Sequence, residues 1–223
     1  MGIISIDKSN RLIWLGRYTE RTFTICRTLN HVFDKMIDRD DEAYLEYLDA
    51  LGIPHVYSGR DDFIKTYIFD ESDPNSLASQ LNRALDNGIE MREELTSDTL
   101  CYIQIAQNAL RYSGNIAPIL VLQRVIDDLF AFWGSADDNV ASEESRTLLK
   151  CGKYVERLDL YVRLGYKFSD VEKETSKLLN RLEKAHFANV QENARKLREW
   201  TKDEETYNAS KQSILNLLWQ ILA

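Results

Sequence analysis

Gly16-Arg17-Tyr18-Thr19-Glu20-Arg21, followed by Arg27, recurs as Gly152-Lys153-Tyr154-Val155-Glu156-Arg157, followed by Arg163. The second copy stands 136 residues after the first, and Leu12 and Leu148 keep the same register. In a chain with 29% charged residues a lone Glu-Arg dipeptide means little. Glycine, a cation, tyrosine, Glu-Arg and a later arginine returning together at fixed spacing indicate that one local device is needed twice. At about 100° per residue, Trp14, Tyr18, Ile25, Leu29 and Val32 gather on one arc of a helix. Arg17, Glu20, Thr24, Arg27 and His31 gather on another, with Arg21 at the boundary. The second copy arranges Lys153, Glu156 and Arg163 in the same way, with Leu160 in place of the threonine. Gly16 and Gly152 sit beside these polar stripes, where a missing side chain lets another backbone approach closely. The expected arrangement is two motif helices meeting near their glycines in pseudo-twofold fashion. Glu20 and Glu156 then pair with arginines across the junction and along their own helices.

The rest of the chain reads as helix almost throughout, because three prolines and nine glycines mostly fall where helices start or stop. A first motif helix is expected over about 9–37, capped by Ser9, and a second over about 142–165, capped by Ser142 and stopped at Gly165. Between them, a helix from Asp41 ends at Gly52, and Asp73-Pro74 is read as N-cap and first turn of a helix to Leu95. Ser97 is read as the cap of the next helix, and Pro118 opens another that ends at Gly134. Residues 58–69 stay ambiguous, with Thr66-Tyr67-Ile68-Phe69 strand-like in composition but without a partner strand. Ser169 and Glu172 suggest a capping box for one long helix to Trp200. Val171, Leu178 and Ala185, then Tyr207, Ile214 and Ile221, recur at seven-residue steps across a polar turn at 203–205. That spacing predicts an antiparallel hairpin over about 169–222, packed on the body or pairing with a second copy. The expectation is an all-α multi-helix bundle in a single domain, 1–223.

Composition narrows the function classes. A formal net charge of −8 argues against a general nucleic-acid binder. The longest apolar run, from Ile116 to Leu122, is far short of a membrane span, and the opening residues do not resemble a signal peptide. Three widely spaced cysteines (Cys26, Cys101, Cys151) without C-x-x-C read as reduced thiols of a cytoplasmic protein. Cys151 is expected buried and inert. Glu183-x-x-His186 has di-iron ligand spacing but lacks its second copy, so no metal or other cofactor is expected. Asp61-Asp62, Asp127-Asp128 and Asp137-Asp138 do not extend to D-D-x-x-D, and neither a phosphate loop nor a nucleophile elbow is present. The C-terminal run Leu217-Leu218-Trp219-x-Ile221-Leu222 is read as packing or dimerisation surface, which leaves a homo-oligomer open.

Two readings of the motif remain. In one, its charged residues form a partly buried ionic network that fixes helix register. In the other, arginines in excess of glutamates grip a carboxylate or phosphate.

Trp14-Leu15-Gly16-Arg17-Tyr18-x-Glu20-Arg21 resembles the opening motif of the alpha-E family, an all-helical bacterial domain named for its Glu-Arg motif. Leu149-x-x-Gly152-Lys153-Tyr154-x-Glu156-Arg157-x-Asp159 resembles its second copy. Asp73-Pro74-Asn75-Ser76, Arg83-Ala84, Asn87 and Arg92-Glu93 resemble its middle segment, and the likeness spans about residues 9–165. Lys153 stands where arginine is usual, and Leu85 and Ile89 occupy two positions where further arginines are expected. The resemblance implies a partnership with circularly permuted ATP-grasp ligases, and with transglutaminase-like proteins, in peptide synthesis or modification. The site it implies, structural or anion-binding, comprises Arg17, Glu20, Arg21, Arg27, Lys153, Glu156, Arg157 and Arg163, with Arg83, Asn87 and Arg92 secondary. The alternative is an enzyme of the same pathway, with a transfer step in the groove between the motif helices. There Glu20 or Glu156 acts as base, with Arg17, Arg27 and Arg163 as clamps.

Overall fold

The computed structural model describes residues 4–38, 40–185 and 190–221, and among these the secondary structure is ten helices with no strand. α1 (Ile6–Asp38) and α7 (Glu143–Arg163) carry the two motif copies, and the remaining helices are arranged around this pair. α2 (Ala43–Leu51) ends at Gly52, whose left-handed φ of 68° suits a residue without Cβ. α3 (Arg60–Phe69), α4 (Leu77–Glu90), α5 (Ser97–Arg111) and α6 (Pro118–Asn139) complete the first core, with α4 and α6 packed on α1, α5 against α4 and α6, and α3 against α4 and α5. α8 (Phe168–Leu182), α9 (Val190–Trp200) and α10 (Glu204–Gln220) build a second core on α7. α7 is the shared wall: Leu148 and Leu149 face the first core, while Cys151, Val155, Leu158 and Val162 face the second.

Several local expectations need correction. Residues 60–69 are helix, because Phe63 and Tyr67, one turn apart, stack against each other and meet Tyr44, Tyr47 and Tyr57. That aromatic packing overrides the strand-like composition. Ser76, rather than Asp73, caps α4 by accepting from Ser79 N at 3.0 Å. Asp73 instead stabilises the preceding turn, accepting from Asn75 N and from the Tyr57 hydroxyl. Thr96, not Ser97, caps α5, and α6 runs through Gly134 because Phe132, Trp133 and Ala136 are buried around it. The long helix expected from Ser169 to Trp200 is two helices, and Lys167 rather than Ser169 stands at the first N-cap. The seven-residue step explains the break: Val171, Leu178 and Ala185 are buried, but Glu192, the next in register, is exposed. Val190, Ala194 and Leu197 carry the buried stripe instead. The C-terminal unit is therefore three helices, with α9 and α10 as its hairpin, and Tyr207, Ile214 and Ile221 are buried as their spacing predicts.

Candidate functional site

A Cβ on Gly16 would collide with the Leu149 carbonyl of α7, and a Cβ on Gly152 would collide with the Ile13 carbonyl of α1. The two helices thus touch backbone to backbone, in reciprocal contacts. This approach brings the polar stripes within reach of each other. Glu156, 0% exposed, accepts from Arg17 Nε at 2.8 Å and from Arg21 Nε at 2.5 Å. Glu20, also 0% exposed, accepts from Arg157 Nε at 2.6 Å and Arg157 Nη2 at 2.9 Å. Each carboxylate is therefore held by guanidinium from the opposite helix. Burial alone would raise the Glu156 carboxyl, but the charges of Arg21 and Arg17 outweigh it and hold the group below the usual carboxylate range.

The two halves differ where the sequence differs. Lys153, the counterpart of Arg17, does not bond Glu20; its ammonium lies 3.9 Å from the centre of the Trp133 ring. Burial pulls this ammonium down to about 8, against the charge of Glu20, which acts in the opposite sense. The acceptor capacity left on Glu20 is taken by Thr24, whose hydroxyl donates to Oε1 at 2.9 Å. Leu160, the counterpart of Thr24, has no hydroxyl to offer Glu156, which has the second arginine instead. Arg157 also reaches Glu174 of α8 at 3.4 Å, tying the junction to the second core.

Among the described residues, neither Glu20 nor Glu156 pairs with a cation of its own helix. Arg17 turns away from Glu20 on its own helix, lying against the rings of Trp14 and Trp219 as it spans to Glu156. Arg27 is exposed and lies over Phe23, because seven residues of helix carry it about 10.5 Å past Glu20. Arg163 is equally distant from Glu156 along α7 and instead donates to Asp159 Oδ2 at 2.7 Å. The middle-segment residues stay outside the junction. Arg83 donates to the Pro74 carbonyl, Asn87 to the Arg83 carbonyl, and Arg92 is exposed.

Beside the junction lies a cavity of about 320 Å³, lined by Arg21 and Ile25 of α1, Tyr67 of α3, Gln80 of α4, and Asp159 and Arg163 of α7. Gln80 and Glu174 are members of this region that sequence reasoning assigned no role, while Asp159 entered only as the end of the second motif copy and Trp219 only as part of the C-terminal packing run. Asp159 had a signal, since it closes the Arg157-x-Asp159 segment, where the first copy has Phe23. Gln80, Glu174 and Trp219 lie on other helices, and only the tertiary fold brings them in. Cys26 and Cys151 are buried and Cys101 is exposed; burial pushes the Cys151 thiol up to about 12. No cluster of three metal-ligating side chains occurs among the described residues, and His186 of the Glu183-x-x-His186 pair lies outside them. No described helix is long and apolar enough to cross a membrane.

Neither the curated proteins nor the solved structures gave a match to this chain. The alpha-E family model, described as "a predicted alpha-helical domain with a conserved ER motif", matches residues 9–183. That stretch holds both Glu-Arg copies and the whole α1–α7 junction, and the chain belongs to the alpha-E family.

Proposed function

We propose that this chain is a cytoplasmic accessory or interaction domain acting with an ATP-grasp-type amidoligase in peptide synthesis or peptide modification. In this reading the Glu-Arg residues are the ionic lock that holds the bundle in one shape for its partner. The observation that carries the structural half is the enclosure of Glu20 and Glu156, each held by guanidinium from the opposite helix. A general base must come within about 2.6–3.2 Å of the proton it removes. These two carboxylates are sealed from solvent and occupied by arginines and Thr24, so we assign them no chemistry. The ligase partnership, and a transglutaminase-like protein as a further partner, rest on alpha-E membership together with what the resemblance implies. Cysteines with no pairing between them suit a reducing compartment.

The test is co-purification of the tagged chain from its native host, read by mass spectrometry. An ATP-grasp-type ligase enriched with the chain, and lost with a Gly16→Val variant that splits the junction, is the expected result. Recovery of the chain without any such ligase counts against the partnership.

A further inference from the structure

Two residues that line the cavity beside the junction carry polar atoms that the fold leaves unsatisfied. Asp159 Oδ1 and Gln80 Oε1 have no hydrogen-bond partner, although their residues are each only 3% exposed. Both are acceptors, on two different helices, and both residues line the same space. A buried acceptor without a donor costs about 1–3 kcal/mol, and more when it is charged. Each of these side chains is fixed through its other end: Asp159 Oδ2 receives Arg163 Nε, and Gln80 Nε2 donates to the Pro74 carbonyl at 2.9 Å. Neither unpartnered oxygen can therefore reach solvent by rotation without breaking a bond that the fold makes. What would satisfy both is a group rich in donors, and an ammonium carries three.

The same cavity carries the opposite chemistry on another wall. Arg21 and Arg163 both line it, and each uses only Nε in an ion pair, leaving its Nη groups without a partner among the described residues. The paired Nη edge of a guanidinium is suited to a carboxylate. Ile25, Leu51, Ile53 and the Trp219 ring add apolar lining to the same cavity. Two orphaned acceptors, two free guanidinium edges and apolar lining in about 320 Å³ match a small ligand at the low end of the usual range for binding cavities, roughly 300–1,000 Å³.

We propose that this cavity binds a small zwitterion with an apolar side chain, an α-amino acid or a dipeptide. Asp159 Oδ1 and Gln80 Oε1 receive its ammonium, and the free edges of Arg163 and Arg21 receive its carboxylate. The proposal goes beyond the accessory role and does not depend on it, because the ionic lock stands whether or not the cavity is filled. A ligase partner found without a ligand, or a ligand without a ligase, separates the two.

Calorimetric titration of the whole chain tests it, with L-leucine and glycyl-L-leucine as probes. N-acetyl-L-leucine, which lacks the ammonium, and L-leucinamide, which lacks the carboxylate, are the controls. The expected result is saturable binding of at least one zwitterion, weakened at least about tenfold by either modification. The tighter of the two zwitterions identifies the source as free amino acid or dipeptide. Asp159→Asn is expected to weaken binding by a similar factor with its helical circular dichroism unchanged. If that variant does not fold, the analogue series on the unmodified protein still decides. Binding of neither zwitterion into the millimolar range overturns the proposal, as does N-acetyl-L-leucine binding as tightly as L-leucine.

Discussion

Glu20 and Glu156 occupy matching places in the two motif copies, yet they are satisfied differently. Glu156 has two guanidiniums from α1 and no hydroxyl. Glu20 has one guanidinium, gripping both of its oxygens, and the Thr24 hydroxyl. Two of the substitutions that distinguish the copies, Lys153 for arginine and Leu160 for threonine, are thus coupled through the junction. Where the first copy supplies threonine, the second can do without the upstream arginine. Where the second supplies leucine, the first must bring both of its arginines. What the fold requires is two enclosed carboxylates without an orphaned oxygen, and the chain reaches it by two sets of side chains.

The largest effect should come from the feature that the two halves share. Gly16→Ala and Gly152→Ala each place a methyl group on a backbone carbonyl of the other helix, which no side-chain rotation can relieve. Each is expected to lose on the order of 5 kcal/mol or more, read as the urea midpoint, and the two losses should be alike. A large loss for one glycine with tolerance of the other would show that the contacts are not equivalent. Next come the carboxylates. Glu156→Gln strands Arg17 and Arg21 and should cost about 3–5 kcal/mol. Glu20→Gln should cost less, since Arg157 keeps Glu174. Equal losses in chemical denaturation would mean that the second arginine adds nothing.

Much of this was legible in the sequence, for a definable reason. A glycine and a charged set repeated at fixed spacing report a helix–helix contact, because close approach and buried charge both demand particular residue types. Helix existence followed from periodicity, and Gly52 and Gly165, both at positive φ, were readable as stops. What a single helical wheel could not show was the partner choice. Arg17 and Glu20 stand three apart on one helix, a spacing that invites pairing, but the close approach of α7 offers Arg17 an enclosed carboxylate instead. Aromatic packing turned residues 60–69 into helix, and a failed seven-residue step at Glu192 divided α8 from α9. Gln80 and Trp219 could not be placed beside Asp159 from sequence, since nothing local links them.

Lys153 sharpens the comparison through pH. Its ammonium is pulled down to about 8 by burial, whereas an unfolded lysine titrates near about 10.4. Below pH 8 the side chain is charged in both states and the folded protein bears the full burial penalty. Between about 8 and 10.4 the unfolded chain binds more protons, so this residue adds stability as pH rises. Lys153→Met removes the effect. The variant should be the more stable of the two at pH 7 by about 3 kcal/mol, and that margin should shrink by pH 10 in paired urea titrations. A margin constant with pH would mean that the lysine is charged in the fold throughout.

The smallest effects separate the residues that the junction uses from those that merely share its motif. Thr24→Val removes the hydroxyl from Glu20 Oε1 and should cost about 1 kcal/mol. Leu160→Thr at the matching position should gain nothing, because Glu156 already holds two guanidiniums. Arg27→Ala should change stability by no more than about 0.5 kcal/mol, since Arg27 is exposed and its guanidinium lies over the Phe23 ring. Its counterpart should not be silent: Arg163→Ala leaves the Asp159 carboxyl, raised by burial and by the charge of Glu156, without its hydrogen-bonded guanidinium and with only the charge of Arg21 to oppose both. If thermal melts find Arg27 and Arg163 equally dispensable, the asymmetry stops at the glutamates. If Arg163 alone matters, it extends along α7 to Asp159 and to the wall of the adjoining cavity.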